Sequence, residues 1–552
     1  MPTPNLKEKY DYTKKEYIGV LIGYATITLI CTYPAILNFN FLIGPPADNQ
    51  IFAWNLWWFK YSLFNLGSNP FHSNYVFYPV GADLYFHTYS PLNCLVGCVL
   101  QPLFGLIKTY NILIMGGFIL AAAGAYALCR YMALGRGASF IGGLIFSYNP
   151  FHFAQSQNHL NISSIFLLPL LILYVFKAMD KQSIKYAAIS GIILAANYYL
   201  DFWMFLFGST LILPVLMGMR ISDKKVSGMS RLRISLYMFI LALILILPML
   251  IGAFKAAINE NITKPTGYDT YVADLAGLVF PHSGHWLKMV VPDIISRSPG
   301  KSCESQAFLG YFTLLAALLA IFKYRHKYKK YFLTAGILGL ILSLGSNLHI
   351  WGIAYKQIKL PYLFIEYVPI LNAARVPGRF IILTYLALAM FAALTMDNVI
   401  NKFKVKKRNF LVILIVLFSV VFVLIDYCSV PFDVATIKVP SFWDRLKKDP
   451  STFAISNIPL GKWEADSRYL YYQTIHNRQI LGGILARFDI SYYDTLMGQT
   501  ITKEYLTNIQ VKYIALYKEF SSNERFLAFR GDFMRDFSLI AEEDGISLFQ
   551  IY

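Results

Sequence analysis

The chain has 552 residues, of which 56% are hydrophobic and only 14% charged. Soluble enzymes carry roughly a quarter charged residues, so the composition excludes an ordinary cytosolic domain and points to a polytopic α-helical membrane protein. The net charge of +18 does not signal nucleic acid, because Lys and Arg gather in short loops between apolar runs, as the positive-inside rule requires.

Lys7, Lys9, Lys14 and Lys15 precede the first apolar run, 17–37, which lacks a small-residue cleavage site and reads as an uncleaved anchor. Further runs that span or nearly span are 91–107, 110–130, 138–149, 162–177, 185–199, 202–219, 234–252, 306–322, 331–346, 377–397 and 410–427. Four basic loops orient them: Lys177/Lys181/Lys185, Arg220/Lys224/Lys225/Arg231/Arg233, Lys323/Arg325/Lys327/Lys329/Lys330 and Lys402/Lys404/Lys406/Lys407/Arg408. Neighbouring loops are two spans apart, so all four share the cytoplasmic side with the N-terminus. Segments 38–90, 253–305, 347–376 and 428–552 then lie outside. Parity requires an odd number of crossings between 90 and 177. The short run 91–107, opening with Pro91, is read as re-entrant or interfacial; the alternative is that 138–149 does not cross. Either choice gives about eleven or twelve membrane helices in residues 1–427.

Residues 428–552 change character. Runs of strand length appear at Phe453–Ile458, Lys512–Tyr517, Leu539–Glu542 and Ile546–Ile551, and Asp544-Gly545 is a hairpin signal. Ser441–Lys448 and Asn523–Phe529 read as short helices, giving a small external α/β domain. Cys303 and Cys428 both fall outside and are the one candidate disulfide pair; Cys31, Cys94, Cys98 and Cys129 read as packed small residues.

The candidate chemistry gathers on the external face. Asp48 follows the first span in Gly44-Pro45-Pro46-Ala47-Asp48-Asn49-Gln50, before Trp54, Trp57 and Trp58. A carboxylate at a helix end beside an aromatic belt is costly to place and points to function. General base and N-cap of the next helix are its two readings. Ile51–Phe64 suits an amphipathic helix lying in the interface. Asp83 and His87 lie further along this loop, Asp83 in a turn beside Gly81. Arg375 and Arg379, in Arg375-Val376-Pro377-Gly378-Arg379-Phe380, open a span from outside. They share one helix face if the helix extends back over both; if it starts at Pro377, Arg375 precedes it. With the helix N-terminus they form a seat for a lipid-linked phosphate, and snorkelling to headgroups is the alternative. His159, Glu304, His282 and His285 are further candidate contacts for substrate. His282 and His285 lack a nearby carboxylate to complete a metal site. Walker, dinucleotide, nucleophile-elbow and zinc-protease motifs are absent.

The chain resembles the GT-C class of integral-membrane glycosyltransferases. The likeness rests on Asp48 just after the first span, a long first external loop, about a dozen spans and a C-terminal external domain. Asp48-Asn49-Gln50-Ile51-Phe52-Ala53-Trp54-Asn55, Asn69-Pro70-Phe71, Tyr78-Pro79-Val80-Gly81, Leu344-Gly345 and the Arg375–Phe380 stretch look like prokaryotic proteins grouped with that class. The resemblance implies inverting transfer of a sugar from a polyprenyl-phosphate or -diphosphate donor to a lipid, glycan or protein acceptor at the external face of a prokaryotic plasma membrane. Asp48 would be the general base, and Arg375 and Arg379 would bind the donor phosphate. Where such enzymes carry two adjacent acids, Asn49 follows Asp48 here. No cofactor is assigned, and a divalent metal stays open. A transporter or flippase for a lipid-linked or polar solute is the rival reading, and a non-catalytic assembly protein the third. The clustering of polar residues on one face favours the enzyme.

Overall fold

A computed structural model describes residues 14–46, 48–222, 228–259, 268–299, 302–368, 371–428, 431–461, 463–485, 503–520 and 537–552. The helix expected at Asn523–Phe529, and Lys7, Lys9, Lys224 and Lys225 of the basic segments, lie outside the described residues. The chain divides into two compact units: Met1–Leu37, Ile112–Leu247 and Pro265–Phe432 form one, and Asn38–Asn111, Pro248–Lys264 and Asp433–Tyr552 the other.

The first unit is a bundle of apolar helices, and the protein is an integral membrane protein. Among the described residues, five helices are long and apolar enough to cross a membrane: Leu106–Tyr131, Leu160–Lys181, Met229–Ile258, Pro377–Val405 and Asn409–Tyr427. Shorter apolar helices include Phe202–Val215 and Tyr311–Lys323. The helix Ile381–Val405 is buried continuously from Ile381 to Met396. It packs against Arg136–Ser147, Lys329–Ser343 and Tyr311–Lys323. Small residues set the spacing: a methyl added at Gly339 would lie 2.7 Å from Leu383 Cβ.

Ion pairs fix which helix ends share a face. Glu16, at the start of Lys14–Cys31, pairs with Arg130 at 3.0 Å and Arg136 at 2.8 Å. These sit at the end of Leu106–Tyr131 and the start of Arg136–Ser147. The first helix and Leu106–Tyr131 therefore run in opposite directions. Asp180 receives Lys327 at 2.6 Å and the Tyr131 hydroxyl at 2.9 Å.

The second unit joins the first loop to the C-terminal segment. A five-stranded sheet has the order Ser538–Glu543, Ile546–Gln550, Val511–Tyr517, Ala454–Ile458, Gln479–Ile480. The first three strands are antiparallel, and the last two pair in parallel with their neighbours. Parallel pairing needs a crossover, and the helix Trp463–His476 supplies it between Ala454–Ile458 and Gln479–Ile480. The two-residue turn has Asp544 at φ 48° and Gly545 at φ 78°, as a primed hairpin turn demands. Ala454, Ile458, Leu481, Leu506, Val511, Ile514, Leu516, Phe549 and Ile551 form the sheet core. Main-chain bonds tie the loop to this domain. Leu42–Ile43 pairs with Val434–Ala435, and Tyr75 O accepts the Ile480 N–H at 2.9 Å.

Candidate functional site

Asp48 begins the helix Asp48–Tyr61 in the second unit. Asn49 anchors the approach: its fully buried amide donates to Ile43 O at 2.9 Å and Gly44 O at 3.3 Å. The helix is not the interfacial element expected from the sequence. Asn49 through Phe59 is buried without a break, so no apolar stripe is left for lipid. The three tryptophans are core residues and not a membrane belt. Trp54 stacks on Trp58 with centroids 5.9 Å apart, and their indoles donate to Gln473 Oε1 at 2.7 Å and Pro70 O at 3.1 Å. Paired N–H groups let such rings leave water altogether.

One partner of Asp48 comes from the C-terminal segment. Trp463, first residue of its helix, donates its indole N–H to Asp48 Oδ1 at 2.6 Å. Further along the same helix, the Gln473 amide accepts from Trp54 and donates to Tyr75 O at 2.6 Å. Two polar links therefore join the Asp48 and Trp463 helices. Trp463 keeps 42% of its surface exposed and Asp48 is half-buried, so the pair is not sealed off. Sequence reasoning missed Trp463 and the helix that it opens. Gln50 is fully buried, and neither polar atom of its amide has a partner among the described residues.

Elsewhere in the first loop, Asp83 accepts from His72 Nδ1 at 2.8 Å, across the strand pair His72–Ser73 and Ala82–Asp83. Half of the His72 side chain is exposed, so this is a surface hydrogen bond at a turn. His87 Nε2 donates to Asn55 Oδ1 at 3.0 Å. Burial pushes the His87 imidazole down to about 3, which keeps it neutral. A neutral, packed imidazole whose Nε2–H is held by Asn55 keeps the loop in place and has no second proton to give at neutral pH.

The first unit holds the arginines. A short 3₁₀ turn, Pro377–Phe380, leads into Ile381–Val405, so Arg375 precedes the helix and the two guanidiniums share no helical face. Arg379 is not an open fork. Its Nε donates to Glu304 Oε2 at 2.9 Å, its Nη2 to Glu304 Oε1, and its guanidinium carbon lies 5.2 Å from the Trp203 ring centre. Gly378 makes the approach feasible, since a Cβ there would fall 2.4 Å from Glu304 O. The expected seat of unpaired amides is also used internally: Gly378 N–H donates to Tyr271 O at 2.9 Å and Arg379 N–H to Val376 O at 3.2 Å.

Glu304 is the hub of this cluster. Gln155 Nε2 donates to its Oε2 at 2.8 Å, and His159 Nδ1 donates to Gln155 Oε1 at 2.7 Å. Burial pushes the Glu304 carboxyl up. The charge and hydrogen bonds of Arg379 outweigh that and hold it down at about 2. Asp201 completes the surroundings, accepting from Asn161 at 2.6 Å and the Trp203 N–H at 2.7 Å. Burial raises its carboxyl, against the pull of Arg379.

Arg375 differs. It is exposed, and among the described residues its guanidinium has no partner. The backbone beneath it is held: the Tyr268 hydroxyl donates to Asn372 O at 2.7 Å and the Tyr362 hydroxyl to Ala374 O.

His282 and His285 act as turn caps. Their Nδ1 atoms accept the Gly284 and Leu287 N–H groups at 3.0 and 3.2 Å, and His285 Nε2 donates to Asp426 O at 3.1 Å. Burial pushes His282 down to about 4 and also lowers His285. Among the described residues no group of three His, Cys, Asp or Glu side chains is placed to hold a metal ion.

A family model described as "Domain of unknown function (DUF6311)" matches residues 20–423. The chain belongs to this family. Comparison with curated proteins finds no match. Among solved structures, the fold is similar to the oligosaccharyltransferase AglB of Archaeoglobus fulgidus. In complex with an inhibitory peptide and a dolichol-phosphate, AglB gives a TM-score of 0.57 at 12% identity, over 93% of this chain and 70% of that one. An Archaeoglobus fulgidus oligosaccharyltransferase in the apo form gives 0.58 at 12% identity, over 92% of this chain and 70% of that one. ArnT from Cupriavidus metallidurans, also apo, gives 0.52 at 10% identity over 98% of both chains. The fold of the DUF6311 chain is therefore GT-C-like: a polytopic helical membrane region with a small C-terminal sheet domain.

Proposed function

We propose that this DUF6311 protein is a membrane glycosyltransferase that uses a polyprenyl-phosphate or -diphosphate sugar, with Asp48 as general base. The observation carrying the reading is Asp48 itself: a half-buried carboxylate at the head of the first-loop helix, with one oxygen fixed by the Trp463 indole. The GT-C fold supports the reaction class, and the dolichol-phosphate in the AglB complex supports a lipid-linked donor. In the proposed step an acceptor hydroxyl attacks the anomeric carbon as its proton passes to Asp48. The anomeric carbon–oxygen bond to phosphate breaks, and the phosphate leaves with the electron pair. One base and no paired nucleophile makes this a single inverting displacement.

For the donor phosphate we assign Arg375, whose exposed guanidinium is uncommitted among the described residues. Arg379 and Glu304 instead form a buried pair behind the turn that carries Arg375. The proposed orientation places the C-terminal domain outside the cytoplasm.

The testing experiment uses purified protein in proteoliposomes with a panel of labelled polyprenyl-phosphate hexoses and pentoses. The reading predicts inverted glycoside and free polyprenyl phosphate in equal amounts. Movement of intact lipid-linked sugar across the bilayer without cleavage would make the protein a flippase.

A further inference from the structure

Cys428 was expected to face Cys303, but its neighbour is Cys31. Cys31 ends the helix Lys14–Cys31 and is 1% exposed. Cys428 caps the helix Asn409–Tyr427, its N–H donating to Leu424 O at 2.8 Å, and is half-buried. The two thiols lie close enough to interact with each other. Just beyond them the chains are tied again, with Phe432 N–H donating to Tyr33 O at 2.9 Å. Two helix ends, far apart in sequence, are thus fixed side by side by a backbone bond that does not involve sulfur. Among the described residues no third His, Cys, Asp or Glu joins the pair, so it lacks the ligand set of a zinc or iron site.

We propose that Cys31 and Cys428 form a disulfide that staples the first helix to Asn409–Tyr427. The inference rests on the proposed orientation, in which both helix ends face an oxidising compartment. The oxidant is the active-site disulfide of an extracytoplasmic thiol–disulfide oxidase. The more accessible Cys428 thiolate attacks it, forming a mixed disulfide and releasing one oxidase thiolate. Cys31 then displaces the second oxidase thiol. The two protein thiols lose two protons and two electrons, and the oxidase disulfide becomes a dithiol. Cross-linking residues so distant in sequence restricts the unfolded chain strongly, so the bond stabilises the bundle without changing its contacts.

The test is mass spectrometry of protein purified from its own membranes without reductant and alkylated with iodoacetamide after denaturation. The expected result is a Cys31–Cys428 cross-linked peptide that dithiothreitol splits, with an intact mass lower by two hydrogens than that of reduced protein. Cys303→Ser should keep the cross-link, and Cys428→Ser should release Cys31 for alkylation. Reductant should lower the melting temperature of the wild type and leave that of Cys31→Ser/Cys428→Ser unchanged. Full alkylation of both residues in unreduced protein overturns the proposal. A second measurement separates this from a wrong orientation: Lys448→Cys labelled in intact cells with a membrane-impermeant maleimide. Free thiols with Lys448→Cys labelled reject the disulfide alone. Free thiols with Lys448→Cys protected reject the orientation and the disulfide together.

Discussion

The indole N–H of Trp463 lies 2.6 Å from Oδ1 of Asp48, joining residues 415 positions apart. The bond occupies one carboxylate oxygen and fixes the direction of the other. In the proposed reaction, a base so held meets its proton without first reorganising. Trp463 of the C-terminal segment supplies the donor that orients the carboxylate.

Trp463→Phe keeps the ring and removes that donor. A hydrogen bond to a charged group contributes about 1.5–3 kcal/mol. On the scale of about 1.4 kcal/mol per tenfold, kcat should fall about 10- to 100-fold with KM little changed. Steady-state kinetics decide the point. An unaltered kcat would leave Trp463 as packing only.

Arg375 and Arg379, four residues apart, should respond oppositely. Arg375→Ala removes an exposed cation that has no partner among the described residues, so melting stays at the wild-type temperature while KM for the polyprenyl-phosphate donor rises. Arg379→Lys loses the fork that grips Glu304, so the protein should be destabilised before any kinetic effect is read. Melting curves beside donor titrations test both. A destabilised Arg375→Ala with unchanged donor KM would reverse the assignment.

Glu304→Gln leaves Arg379 buried without its counter-ion, and breaking a buried pair costs about 3–5 kcal/mol. Glu304→Leu combined with Arg379→Met removes both charges and should recover much of that loss. The Glu304 carboxyl is held down at about 2 in the fold, below its ordinary 4.5. A depressed carboxyl stabilises the fold above its unfolded value and loses that contribution as pH falls through the folded one. The stability difference between wild type and Glu304→Gln should therefore be flat from neutral pH to about 5 and shrink between about 4.5 and 2. A difference that changed between pH 7 and 5 would contradict the pairing.

Gln50→Leu probes the buried amide. An apolar residue of similar size relieves an unsatisfied pair of polar atoms, so thermal stability should hold or rise. Measured by melting, a clear loss would mean that the amide has a partner in the working protein.

Legibility followed sequence distance. The Asp544-Gly545 hairpin was readable because its conformation is dictated by those two residues and the flanking runs. The membrane helices were readable because an apolar run long enough to span has few other uses. Trp54, Trp57 and Trp58 were misread because composition cannot separate an aromatic face that meets lipid from one that meets protein. The helix Trp463–His476 was missed because its tyrosines favour strands locally, while burial against the Asp48 helix decides its state. The Arg379–Glu304 pair spans 75 positions. Two charged residues that far apart carry no sign of each other, so Arg379 looked free.

Asp48→Asn asks whether the Asp48 carboxylate accepts the proton of the attacking hydroxyl. The side-chain amide keeps an oxygen for the Trp463 indole and nearly the same volume, so folding and the interhelix link should persist. Only basicity is removed. In proteoliposomes with the polyprenyl-phosphate sugar that the wild type uses, the account predicts a fall in turnover of about 10²- to 10⁴-fold at unchanged melting temperature. Wild-type turnover in a well-folded Asp48→Asn protein would contradict it and reduce Asp48 to a structural partner of Trp463.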